Sequence, residues 1–215
     1  MSRILGWLAA LGLAAGVVMA FGVAPREVTQ GNVQRIMYLH VPTVLVAYLA
    51  FAVVLVASIA YLWRREPAAD RLAHASAEVG VLFTGLTIAA GAIWGKPTWG
   101  TWWTWDARLT SVAILFVMYL GYLLLRGMIE DRERGARYAA VVGIIAALDV
   151  PLVNFSVYWW RTLHQPPSLL KPGPASMPEG ILWALLVNVV GFALLYAYFV
   201  AKRVVVLRRE QEVLA

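Results

Sequence analysis

Residues 78–94 read EVGVLFTGLTIAAGAIW and residues 107–125 read ARLTSVAILFVMYLGYLLL, and between them stands GKPTWGTWWTWD, residues 95–106. Each flank is apolar enough and long enough to cross a bilayer as a helix. With Trp94, the short connection collects five of the chain's ten tryptophans: Trp94, Trp99, Trp102, Trp103 and Trp105. Interfacial anchoring normally takes single Trp or Tyr residues at helix ends. Clustered indoles with Gly95 and Gly100 between them instead offer a wide apolar surface with N–H donors on its rim. Such a surface suits a large planar aromatic ligand.

Outward from this segment the same alternation continues along the chain. Six runs have spanning length: 4–23, 43–63, 78–94, 107–125, 137–155 and 180–200. The composition agrees, with 61% hydrophobic and 14% charged residues and a mean hydropathy of +0.72. Soluble domains have about half and about a quarter, respectively. The expectation is an all-α integral membrane protein, a single domain over residues 1–215 forming a six-helix bundle in the lipid bilayer. Val18-Met19-Ala20 would pass as a cleavage context, but the reading expects an uncleaved first helix. There is no cysteine, which excludes a disulfide framework, a thiolate metal site and a CxxCH haem attachment sequence.

Basic residues in short loops are retained on the cytoplasmic side. On one side fall Arg3, Arg64, Arg65, Arg71, Arg126, Arg132, Arg134, Arg137, Lys202, Arg203, Arg208 and Arg209; on the other, Arg26, Arg35, Lys96, Arg108, Arg161 and Lys171. The bias places both termini in the cytoplasm and the tryptophans outside. It also accounts for most of the +6 charge and the pI near 9.8, so no nucleic-acid partner is needed to explain them. The inner connections, 64–77 and 126–136, are charged and read as solvated helix ends. The outer ones, 25–42, 94–106 and 156–179, are rich in Trp, Tyr, His and Pro, and any chemistry belongs there.

Three histidines refine the reading. His40, just before the second run, and His164, in the third outer loop, share the tryptophans' side; His74 is on the inner side. A planar ligand with a central metal needs axial donors, which indole cannot supply because its nitrogen only donates. Neutral imidazole can, and two histidines from separate loops would clamp one haem iron from opposite faces. A pair of loop histidines also fits solvated surface or helix capping.

WGKPTWGTWWTWDARLTS resembles the signature of the tryptophan-rich "WWD" haem-handling superfamily, and RIMYLHVP (35–42) and SVYWWRTLHQ (156–165) resemble the histidine segments of its cytochrome c maturation family, CcmC. The three motifs agree in order and sidedness, and the likeness covers nearly the whole chain. It implies a protein of the bacterial inner membrane, not an enzyme, that holds haem b as cargo at the periplasmic face for the haem chaperone CcmE. The small subunit CcmD and the ABC-type pair CcmA and CcmB would be further partners. By the same resemblance His40 and His164 are the axial ligands, and residues 94–106 are the platform for the macrocycle.

Beside the resemblance stand residues whose roles remain open. Lys96, Arg108, Arg35 and Arg161 are outer-side candidates for the haem propionates, or snorkelling loop charges. Asp106 is expected to cap the fourth helix, with pairing to Arg108 or orientation of a site group as alternatives. Asp149 is a carboxylate inside the fifth run, near Pro151, and is either satisfied locally or part of the pocket. Trp159 and Trp160 are candidate second walls of that pocket, or interfacial anchors. Two other functions compete: a haem b electron-transfer subunit, against which no run has a central histidine, and a transporter with a cation–π cage, which would want a midplane site.

Overall fold

A computed structural model describes residues 2–169 and 171–213. Helix α1 (Ser2–Val18) runs on as one π turn, Met19–Val23, and a 3-10 turn, Val33–Ile36, leads into α2 (Met37–Arg64). Then follow α3 (Pro67–Trp99), α4 (Ala107–Met128), α5 (Arg132–Ala147), α6 (Asp149–Trp159) and α7 (Glu179–Val213). Six helical stretches are long and apolar enough to span a membrane, α5 and α6 together making the fifth. Large apolar side chains such as Trp7, Leu11, Phe21, Val56, Val117 and Leu124 point outward. In water so many would be a liability; in a bilayer they are the lipid face.

The helices exceed the apolar runs wherever polar residues continue the backbone ladder. α3 begins at Pro67, a favoured first-turn proline, so Arg65 and Glu66 alone join α2 to α3, with Arg65 left-handed at φ 59°. The expected inner loop 64–77 is therefore largely helix. At its other end α3 continues through Pro97 to Trp99 and is capped by left-handed Gly100. α2 starts at Met37, before Pro42, so His40 is helical and does not precede the helix as expected. The fifth span is broken at Leu148, because Pro151 offers no N–H to the Ala147 carbonyl.

α2 and α3 form the central antiparallel pair, with α5 and α7 against α2, α4 bridging to α5 and α6, and α1 packed on α7. Midway, Phe51 stacks on Tyr119 at 3.8 Å, and the Tyr119 hydroxyl donates to the Gly143 carbonyl at 3.2 Å. α1 and α7 meet backbone to backbone, since a Cβ on Gly191 would lie 2.9 Å from the Gly12 carbonyl carbon. Small residues permit this approach between membrane helices, and Asn188 Nδ2 secures it by donating to the Gly16 carbonyl at 3.0 Å.

Candidate haem-binding cleft

At the tryptophan end a cleft opens between α2, α3, α4, α6 and the connection 160–178. His40 reaches it from the second turn of α2. Its Nδ1 lies 3.1 Å from the Thr87 carbonyl oxygen; a carbonyl only accepts, so Nδ1 carries the proton and Nε2 keeps a free lone pair. Close packing on α3 is possible because residue 91 is glycine, where a Cβ would stand 2.8 Å from His40 Cε1.

His164 enters from the connection 160–178. The two imidazole centres are 6.4 Å apart, with ring planes at 42°. Trp94 meets His40 edge-on at 5.8 Å, and Trp99 meets His164 edge-on at 4.7 Å. Burial, helped by the Arg108 guanidinium and then by His40, pushes the His164 imidazole down to about 3, so it is neutral at physiological pH.

Asp106 does two things. One carboxylate oxygen accepts the Leu109 N–H at 2.9 Å and caps α4; the other accepts the Leu163 N–H at 3.0 Å, fastening the connection just before His164. The cap is the expected role; the alternative, an ion pair with Arg108, is not formed. Arg108 donates instead to the Val153 and Asn154 carbonyls at 3.3 and 3.4 Å, and among the described residues no carboxylate lies within ion-pair distance. Trp103 Nε1 is buried without an acceptor among the described residues.

The sequence candidates separate into two groups. Trp94, Trp99, Trp102, Trp103, Arg108, His40 and His164 line the cleft; Trp105, Asp106, Trp159 and Trp160 do not. Trp105 is 78% exposed and stands edge-on to Trp103 at 81°, so the indoles form walls and not one continuous flat platform. Trp159 and Trp160, exposed at the end of α6 and edge-on to each other, are not pocket walls; their place fits a helix-end anchor. Asp149 sits at the α5–α6 break and outside the cleft lining, with Oδ2 buried and unpartnered among the described residues. Of the other cations, Lys96 donates to the Gly100 carbonyl and Arg35 to the Ala20 carbonyl, which leaves Arg108 as the one of the four that lines the cleft. Gln30, not foreseen, accepts the Trp94 Nε1–H at 2.8 Å.

Two imidazoles with ring centres 6.4 Å apart in one cleft, beside a cation and an indole donor that have no carboxylate or acceptor among the described residues, suit a metal-centred planar anion. Two metal–imidazole bonds of about 2 Å each, with half a ring beyond either, span a distance of the size observed. A model of heme exporter protein C, CcmC, matches residues 1–215. The chain belongs to the CcmC family. It is 42% identical to heme exporter protein C of Bradyrhizobium diazoefficiens over 97% of this chain and 81% of that one. The family proteins of Haemophilus influenzae (39% identical; 94% and 82% covered) and Escherichia coli K12 (37%; 86% and 74%) are similar across most of both chains.

Proposed function

We propose that this CcmC-family protein holds haem b at the periplasmic face of a bacterial inner membrane, termini in the cytoplasm, and passes it to the haem chaperone CcmE. CcmD, CcmA and CcmB would be its partners in cytochrome c maturation, as the family resemblance implies. The observation that carries the reading is the pair His40 and His164, ring centres 6.4 Å apart inside a cleft walled by Trp94, Trp99 and Trp103. The name heme exporter protein C on the relatives supports haem as the cargo.

The chain's own groups divide the work. His40 Nε2 and His164 supply lone pairs without first losing a proton. Arg108 takes a propionate as a charge-assisted partner, and Trp103 Nε1 finds there the acceptor it lacks. The enclosed part of the cleft measures about 210 Å³, below the roughly 300–1,000 Å³ of sites that enclose a whole ligand. A porphyrin would lie partly inside, with an edge at the mouth for the acceptor. The role is carriage, in keeping with the name heme exporter protein C on the relatives.

The visible spectrum of detergent-purified protein, as isolated and dithionite-reduced, tests this for wild type, His40→Ala and His164→Ala. A six-coordinate low-spin haem spectrum that changes in both variants is expected. No Soret band even after haem is added, or a spectrum indifferent to both substitutions, would overturn the reading.

A further inference from the structure

We propose that the two axial histidines are unequal: His40 keeps the iron until the cargo departs, while His164 lets go first and is carried off by its loop. This rests on the ligation reading above and adds an order of events to it. The two rings are mounted differently. His40 is built into the α2–α3 pair. Its Nδ1–H donates to the Thr87 carbonyl, its own carbonyl accepts the Thr43 hydroxyl at 2.8 Å, and that hydroxyl accepts the Thr87 hydroxyl at 3.0 Å. Thr43 and Thr87 are 0% and 7% exposed, so water does not compete for these bonds. An imidazole whose second nitrogen donates to a carbonyl is oriented, and is a stronger donor to a metal.

His164 has no such mount. Among the described residues neither of its ring nitrogens has a hydrogen-bond partner, and its ring meets Trp99 of α3 edge-on. It stands in the connection 160–178, which has no helix among its described residues. Among the described residues the one hydrogen bond tying the chain beside it to the bundle is the Leu163 N–H to Asp106, and Leu163, Gln165 and Pro166 are exposed. Long connections without secondary structure in an otherwise ordered fold usually move in function. In the step, the iron–His164 bond breaks with the lone pair staying on imidazole. No proton moves and the iron keeps its oxidation state. The vacated axial position then accepts a lone pair from the haem acceptor, and the His40 bond is lost last.

Two measurements on the full-length holoprotein in detergent test the order. Haem content and spin state are read for His40→Gly and His164→Gly, with and without added imidazole. His164→Gly should retain haem in a high-spin, five-coordinate form that imidazole returns to low spin, whereas His40→Gly should retain at least about tenfold less. Because His40→Gly could misfold, the second measurement uses haem loss to excess apomyoglobin. Asp106→Ala, which unfastens the loop, should accelerate transfer about tenfold, the worth of one charge-assisted hydrogen bond. Equal haem loss from the two glycine variants, or transfer from Asp106→Ala at the wild-type rate, would overturn the order while leaving ligation intact. A spectrum unaffected by either glycine substitution would overturn ligation itself.

Discussion

The two ends of the bundle are finished to different degrees. At the basic end Asp70 takes two bonds of 2.7 Å from Arg126, with only 9% and 13% of their side chains exposed. Nearby, Glu78 is approached by Arg203 at 2.5 Å and His74 at 3.3 Å, and Arg71 donates to Gln211. Arg71 Nε and Arg137 Nε are unpaired there, but each guanidinium bonds through another nitrogen. At the tryptophan end, among the described residues, Arg108 donates only to carbonyls, and Trp103 Nε1 and Thr104 Oγ1 are buried without partners. A buried polar atom left alone costs about 1–3 kcal/mol. At one end the buried ion pair Asp70–Arg126 is closed; the other end carries that cost at the place where a charged planar cargo would relieve it.

The largest effect is expected at the basic end. Asp70→Leu leaves the Arg126 guanidinium buried and unpaired, which costs about 3–5 kcal/mol for such pairs. Unfolding in mixed micelles should show that loss, while haem added to the folded fraction gives the wild-type spectrum. A stability change below about 1 kcal/mol would mean that the pair does not hold this end. Next in size is Gly91→Ala at the other end. The new methyl overlaps the His40 ring, an overpacking worth about 1–3 kcal/mol, and haem affinity should fall about tenfold or more. Gly121→Ala, with nothing within 4 Å of the added carbon, is the control; a matching loss in both would point to a helix effect and not to His40.

The spans were legible because bilayer length is written in apolar runs. Their ends were not, because hydropathy stops at the lipid and helices do not. PAADRLAHASA before Glu78 is helical in α3, burying Ala73, Ala75 and Ala77, and AKRVVVLRREQEV extends α7 to Val213. Pro67 was the available signal for the first. Pro42 misled in the opposite direction: a proline near the start of a helix removes one bond, to the Tyr38 carbonyl, without ending it. At the site, the segment and the two histidines could be read from residue types, as could the Asp106 cap. The walls could not, since helical phase sends Trp94 and Trp99 inward while Trp105, beyond Gly100, turns out to solvent. Gly91, Thr43 and Thr87 carry no signal by type; only the α2–α3 packing gives them meaning.

A smaller effect separates indoles of the same segment. Trp103→Phe keeps an aromatic wall but removes the buried N–H, so haem should bind several-fold more weakly, about 1 kcal/mol for a neutral hydrogen bond. Trp105→Phe, changed outside the cleft, should bind as wild type. Equal losses by fluorescence-quenching titration would return Trp105 to the wall of the site.

The smallest expected effect is an absence of response to acid. A free imidazole takes its proton near pH 6.5, and that proton competes with iron for the same lone pair. His164 is held down to about 3 by burial, then Arg108, then His40. Above pH 6.5 folded and unfolded forms are both neutral there, and the ring adds no pH dependence. Between 6.5 and about 3 the unfolded loop binds a proton that the folded one refuses, so acid weakens the folded site gradually across that window. Haem retention followed by the low-spin spectrum should therefore stay level from about pH 8 to about pH 6.5 and decline only gradually below it, with no step centred at 6.5. A sigmoidal loss centred near 6.5 would mean that the His164 ring spends its time in water and not against Trp99. The loosely mounted ligand would then be displaced before any acceptor arrives, and the contrast between the two histidines would be larger than the geometry implies.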